Sequence, residues 1–183
     1  VTCIAAVAHD GKVYMGGDSA GVGGYDLTVR ADAKVFRNGP FVFGFTTSFR
    51  MGQLLRHALT APRPEGDLER FMCTTFVDAV RECLKAGGYA STHHDTESGG
   101  TFLVGVSGRL FQIDSDYQVG ESRDRYDAVG CGSGYALGSL HLTAGIDWRD
   151  CHPNWRVRSA LKAAAHHSAG VRGPFRIVVG GSA

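Results

Sequence analysis

Apolar positions along the chain come in two rhythms. Over residues 2–8 and 12–19 they form short strand-like runs around Asp10-Gly11, a pair suited to the positive φ angles of a tight hairpin turn. Residues 21–25 read as a loop. Residues 27–37 mix β-branched with charged side chains and read as an irregular pair of strands. Asn38-Gly39-Pro40 marks a turn, and residues 41–46 are apolar enough for a strand buried on both faces. The period then changes. Met51, Leu54, Leu55, Ala58 and Leu59 recur at helical spacing behind a capping Ser48, and the Ala-Pro-Arg-Pro of 61–64 ends that helix. A second helix is predicted from a cap at Asp67, with Leu68, Phe71, Met72, Phe76, Val80, Cys83 and Leu84 on one face, closing at Gly87-Gly88. Residues 89–99 are polar and read as a mobile loop. Another hairpin follows over Ser107-Gly108. A short strand at 126–129 then leads into Gly130-Cys131-Gly132-Ser133-Gly134. Helices are expected over 135–144 and 153–167, and a last strand over 175–179.

Strands and helices therefore come in blocks rather than in alternation. That predicts an α+β fold with two antiparallel sheets and helices outside both, not a doubly wound parallel sheet. No internal repeat or linker interrupts residues 1–183, so one domain is expected.

Composition narrows the function classes. Formal net charge is +1, with 19 basic and 18 acidic residues, which gives no electrostatic case for nucleic acid or an anionic membrane as the main partner. No apolar run approaches the roughly 20 residues of a membrane span. The start of the chain lacks the basic segment and apolar core of a signal peptide, so a cytoplasmic protein is expected. The five cysteines (Cys3, Cys73, Cys83, Cys131, Cys151) form no CxxC and read as free thiols. His93-His94-Asp95 lies in a polar stretch and reads as solvated rather than as a metal cluster. Trp148 and Trp155 flank Asp150-Cys151-His152-Pro153 and suit either a core edge or a subunit contact. Gly21, Gly23 and Gly24 do not precede a helix, and no GxxxxGK[ST] occurs, so neither a nucleotide nor any other cofactor is expected.

The candidate chemistry lies at the start of the chain. A terminal threonine carries a hydroxyl nucleophile and an α-amine of pKa about 7.7–8, close enough to neutrality to act as a general base. A lysine nearby lowers the pKa of its neighbours, and a carboxylate keeps that lysine charged and oriented. Thr2 opens the first strand, Asp18 closes the second at the same end of the sheet, and Lys34 lies on the next segment. Gly44 ends an apolar strand where a backbone N–H suits an oxyanion. Each residue also has a plainer reading: a strand threonine, a salt bridge, a packing glycine. Cys3 is a rival nucleophile that alternation turns to the opposite face of the strand.

The stretches TCIAAVAHDGKVYMGGDS, ADAKVFR, VFGFTTS and AVGCGSGYALG, in that order and spacing, resemble the proteasome β-type and HslV-type peptidases of the N-terminal-nucleophile hydrolase superfamily. The resemblance implies a four-layer αββα sandwich. It implies Thr2 as nucleophile and base, Asp18 and Lys34 as its partners, and Gly44 as oxyanion donor. It also implies peptide or protein substrates, a homo-oligomeric ring, and an ATP-driven unfoldase as a possible partner. Two departures stand out. Cys131 replaces the serine of the family's Gly-Ser-Gly turn, with Ser133 two residues on. His166-His167-Ser168-Ala169-Gly170 stands where an Asp-Ser-Ala-Ser-like stretch is usual, leaving His167 or Ser168 as substitutes for its carboxylate. Val1 must be removed to free the Thr2 amine, and its reading as a start residue implies that removal. The rival readings are a small-molecule amidase of the same superfamily and a non-catalytic, self-assembling subunit.

Overall fold

The computed structural model describes residues 1–93, 96–147, 149 and 151–181. The first hairpin forms as its pattern predicts. β1 (Ile4–His9) and β2 (Lys12–Gly17) pair antiparallel across a turn in which both Asp10 and Gly11 have positive φ, 46° and 68°. β12 (Tyr126–Val129) adds to the far side of β1, and β13 (Arg176–Gly180) to the far side of β2. The result is a four-stranded antiparallel sheet of order β12-β1-β2-β13. A second antiparallel sheet has order β11-β10-β9-β6-β5, from β5 (Val35–Asn38), β6 (Phe41–Phe45), β9 (Phe102–Val106), β10 (Arg109–Ile113) and β11 (Val119–Glu121).

The helices start where their caps predict. α1 (Phe49–His57) begins behind Ser48, whose side chain accepts from the Arg50 N–H. α2 (Leu68–Phe71) begins behind Asp67, which accepts from the Arg70 N–H. It continues through a wider π-helical stretch, Met72–Phe76, into α3 (Val77–Ala86). α4 (Ser133–Leu142) and α5 (Pro153–His167) complete the set, with Pro153 in the first turn of α5.

Strand alternation sorts the side chains into three cores. Cys3, Ala5 and Val7 pack with Ala136 and Leu140 of α4 and Val157, Ala160, Leu161 and Ala164 of α5. Ile4, Ala6 and Ala8 join Val13 and Met15 against Val35, Val42, Leu103 and Leu110 of the second sheet. The other face of that sheet packs Phe36, Phe43, Phe45 and Phe102 against Met51, Leu55, Phe71, Phe76, Val80 and Leu84. Burying each of these large side chains contributes about 1.5–3 kcal/mol.

Three segments differ from expectation. The 21–25 loop is a hairpin, β3 (Ala20–Gly23) and β4 (Asp26–Val29), turning at Gly24 with φ 60°. β4 therefore pairs back onto β3 rather than forward onto the strand after Lys34. Its four exposed residues give no buried face from which periodicity could be read. The 89–99 loop contains the short strands β7 (Ser91–His93) and β8 (Thr96–Ser98). β11, only three residues long, is too short to show a period. His94, Asp95, Trp148 and Asp150 lie outside the described residues. Among the described residues, no helix is long and apolar enough to cross a membrane, and no group of three or more His, Cys, Asp or Glu residues is placed to hold a metal ion.

Candidate active site

Asp18 follows β2 directly and ties together four parts of the chain. Its Oδ1 accepts from the Cys3 N–H (3.0 Å) and from Lys34 Nζ (2.9 Å). Its Oδ2 accepts from the Ala20 N–H (2.9 Å) and the Arg172 N–H (3.3 Å). Lys34, the residue before β5, is 1% exposed, and its Nζ also donates to Thr2 Oγ1 at 3.0 Å. The ion pair is out of solvent on both sides, with side-chain exposures of 1% and 0%. Burial pulls the Lys34 pKa below the ordinary lysine range, and Asp18 opposes that shift by its charge and its hydrogen bond.

Thr2 is itself buried, just ahead of β1. Its hydroxyl faces Lys34 and donates to the carbonyl oxygen of Val1. Its N–H donates to Cys131 Sγ at 3.3 Å, and the same sulfur lies 3.5 Å from Ser168 Oγ. The Gly130-Cys131-Gly132 turn closes over this residue, with the Gly132 N–H donating to Thr2 O at 3.2 Å. Gly130 has φ +100°, and a Cβ there would fall 2.3 Å from Thr2 O, so no other residue fits.

Of the six residues singled out from the sequence, Thr2, Asp18, Lys34 and Cys131 meet in one cluster. Ser133 opens α4, and its amide folds back onto the Gly130 carbonyl; the contacts to Thr2 come from Cys131 and Gly132 instead. Gly44 lies inside β6, opposite Val35 on one side and Leu103 on the other. A Cβ there would meet Ile4 at 2.5 Å and Met15 at 2.7 Å, so its bareness lets the two sheets approach. The backbone lining the cleft beside Thr2 is the 45–49 segment, in which Thr47 has φ 61°. Cys3 faces the helix-side core, where burial pushes its thiol up to about 12, an unreactive state at neutral pH. Ser168 reaches Cys131, whereas His167 stacks on Tyr135 at 5.3 Å. Sequence reasoning missed Arg172, which acts through its backbone N–H and leaves no side-chain signal.

No protein family model matches the sequence, and no curated protein does. Solved structures do. BPH of Thiobacillus denitrificans is 21% identical with a TM-score of 0.83, over 100% of this chain and 99% of that one. The same protein in complex with epoxomicin superposes with a TM-score of 0.81 at 21% identity, covering 100% of both chains. HslV from Trypanosoma brucei is 18% identical with a TM-score of 0.71, over 97% of this chain and 98% of that one. The fold is that of the proteasome-type subunits. A proteasome-type fold agrees with the α+β block order and with the resemblance carried by the sequence motifs. Anbu from Yersinia bercovieri has it too, at 13% identity and a TM-score of 0.67, over 98% of this chain and 82% of that one.

Proposed function

We propose that this chain is an N-terminal threonine hydrolase that cleaves peptide or protein amides through an ester on Thr2. The observation that carries the reading is the buried relay from Asp18 through Lys34 to Thr2 Oγ1, at 2.9 and 3.0 Å. In the reacting form Val1 is gone and Thr2 has a free amine. Thr2 Oγ1 attacks the substrate carbonyl, and its proton passes to that amine. The Lys34 ammonium stabilises the developing alkoxide, and Asp18 holds Lys34 in place. The tetrahedral intermediate collapses to the Thr2 ester, and the amine returns the proton to the departing nitrogen. Water then hydrolyses the ester, with the same amine as base. The Thr46 N–H donates to Thr101 O and the Ser48 N–H to Thr46 O, so the oxyanion role passes from Gly44 to the Thr47 N–H. Thr47 lines the cleft beside Thr2, two residues ahead of α1.

The three cores are the seams of a four-layer αββα sandwich in this reading. Self-assembly into a ring follows the resemblance. Support comes from Tyr135, Leu142, Ile146 and Trp155 around α4 and α5, which expose apolar surface, Leu142 to 78%. The subunit works in the cytoplasm, and an ATP-driven unfoldase is a possible partner.

The test is kinetic. On a fluorogenic peptide amide, T2A abolishes turnover and T2S retains part of it. Turnover by T2A at the wild-type rate would refute the mechanism.

A further inference from the structure

Where β6 leads into α1, the last rung of the sheet is closed by a side chain. Phe45 pairs with Phe102, so the next two residues, Thr46 and Thr101, stand opposite one another. The Thr46 N–H donates to Thr101 O at 3.2 Å. An antiparallel pair with one such bond ordinarily exchanges the second as well, from the Thr101 N–H to the Thr46 carbonyl. Here it does not. The Thr46 carbonyl accepts from the Ser48 N–H at 2.6 Å, closing a three-residue turn centred on Thr47. The Thr101 N–H donates instead to Thr47 Oγ1 at 3.1 Å. The turn gives Thr47 a φ of 61°, a region that β-branched residues seldom enter. Room for its side chain comes from Gly100, where a Cβ would fall 3.0 Å from Thr47 Cβ and 2.7 Å from Met51 Sδ.

We propose that the Thr47 hydroxyl positions the oxyanion donor by standing in for the Thr46 carbonyl in that rung. The proposal rests on the hydrolase reading above, in which the Thr47 N–H meets the substrate oxyanion. The Thr46 carbonyl and the Thr47 N–H belong to one planar trans peptide and point in opposite directions. Swinging the carbonyl back onto the Thr101 N–H therefore swings the Thr47 N–H away from its present direction. The hydroxyl removes the drive for that flip, because the Thr101 N–H already has its acceptor. Without it, two pressures run the same way: the flip restores the missing rung and relieves the positive φ of a β-branched residue. The hydroxyl acts on the reaction only through the backbone, so its loss falls on kcat rather than on substrate binding. Removing an oxyanion donor typically costs roughly 100- to 1000-fold in kcat, and a flipped peptide forfeits part or all of that.

The experiment uses the full protein beginning at Thr2, a fluorogenic peptide amide, and a peptide aldehyde whose hemiacetal with Thr2 carries the same oxyanion as the tetrahedral intermediate. T47V keeps the branch and loses the hydroxyl. It lowers kcat at least tenfold with KM within threefold of wild type, and it raises the aldehyde Ki at least tenfold. T47S keeps the hydroxyl and stays within threefold of wild type in all three constants. T47A replaces T47V should the latter not fold, with the same losses expected. Wild-type kcat and Ki in T47V overturn the proposal, as does a T47S enzyme impaired as much as T47V, or a T47V defect confined to KM. Labelling of wild type by an epoxyketone separates the two levels. No label on Thr2 removes the hydrolase reading and the proposal with it; a label together with an unchanged kcat in T47V removes the role of the hydroxyl alone.

Discussion

At the scale of single residues, Asp18 and Lys34 form one ion pair but do different work. Asp18 accepts three backbone N–H groups besides Lys34, from Cys3, Ala20 and Arg172. Removing it strands a buried ammonium and unties those segments together. D18A is therefore expected to cost about 3–5 kcal/mol, the range for breaking a buried pair. K34M leaves Asp18 its three backbone donors and fills the space with a similar chain, so it costs less while abolishing activity. Urea unfolding of both variants checks the order; equal losses would mean that Asp18 serves only Lys34. The pair also shapes the pH profile. Activity rises as the Thr2 amine loses its proton and falls as Lys34 loses its own. Because burial lowers the Lys34 pKa, the falling limb lies below the roughly pH 10.4 of an ordinary lysine. A kcat/KM profile from pH 6 to about 10.5 with no descending limb would show that a charged Lys34 is not required.

At the scale of elements, the site depends on a turn and on strand ends. The Gly130 turn is specified by backbone: φ of +100° and a 2.3 Å approach to Thr2 O. G130A is expected to displace Thr2 and cut kcat/KM at least 100-fold, about 2.7 kcal/mol of transition-state stabilisation, with a smaller effect on α4. NMR chemical shifts of the Thr2–Ile4 segment would move if this is right and stay put if the turn only links β12 to α4. The strands and helices with a buried face were legible beforehand, because continuous apolar runs at β1 and β6 and helical spacing at α1 and α3 follow directly from packing. So was the meeting of Thr2, Asp18 and Lys34, which fall at strand ends where the chain returns to one edge. The β3–β4 hairpin was not legible, since an exposed strand has no apolar rhythm. Gly44 misled for a related reason: a glycine in a strand signals a close approach, and only the fold shows that Ile4 and Met15 make it.

For the whole molecule, the two sheets and their helices bring the residue ahead of β1, a strand end and a strand start to one buried point. At low sequence identity the shared architecture with BPH, HslV and Anbu concerns the fold, and the chemistry rests on this chain's own cluster. The most direct measurement is the intact mass and N-terminal sequence of the purified protein before and after exposure to an epoxyketone. The expected result is a chain starting at Thr2 that gains one adduct, localised to that residue and lost in T2A. A chain confirmed to start at Thr2 that gains no adduct would contradict the mechanism and leave a self-assembling subunit without catalysis.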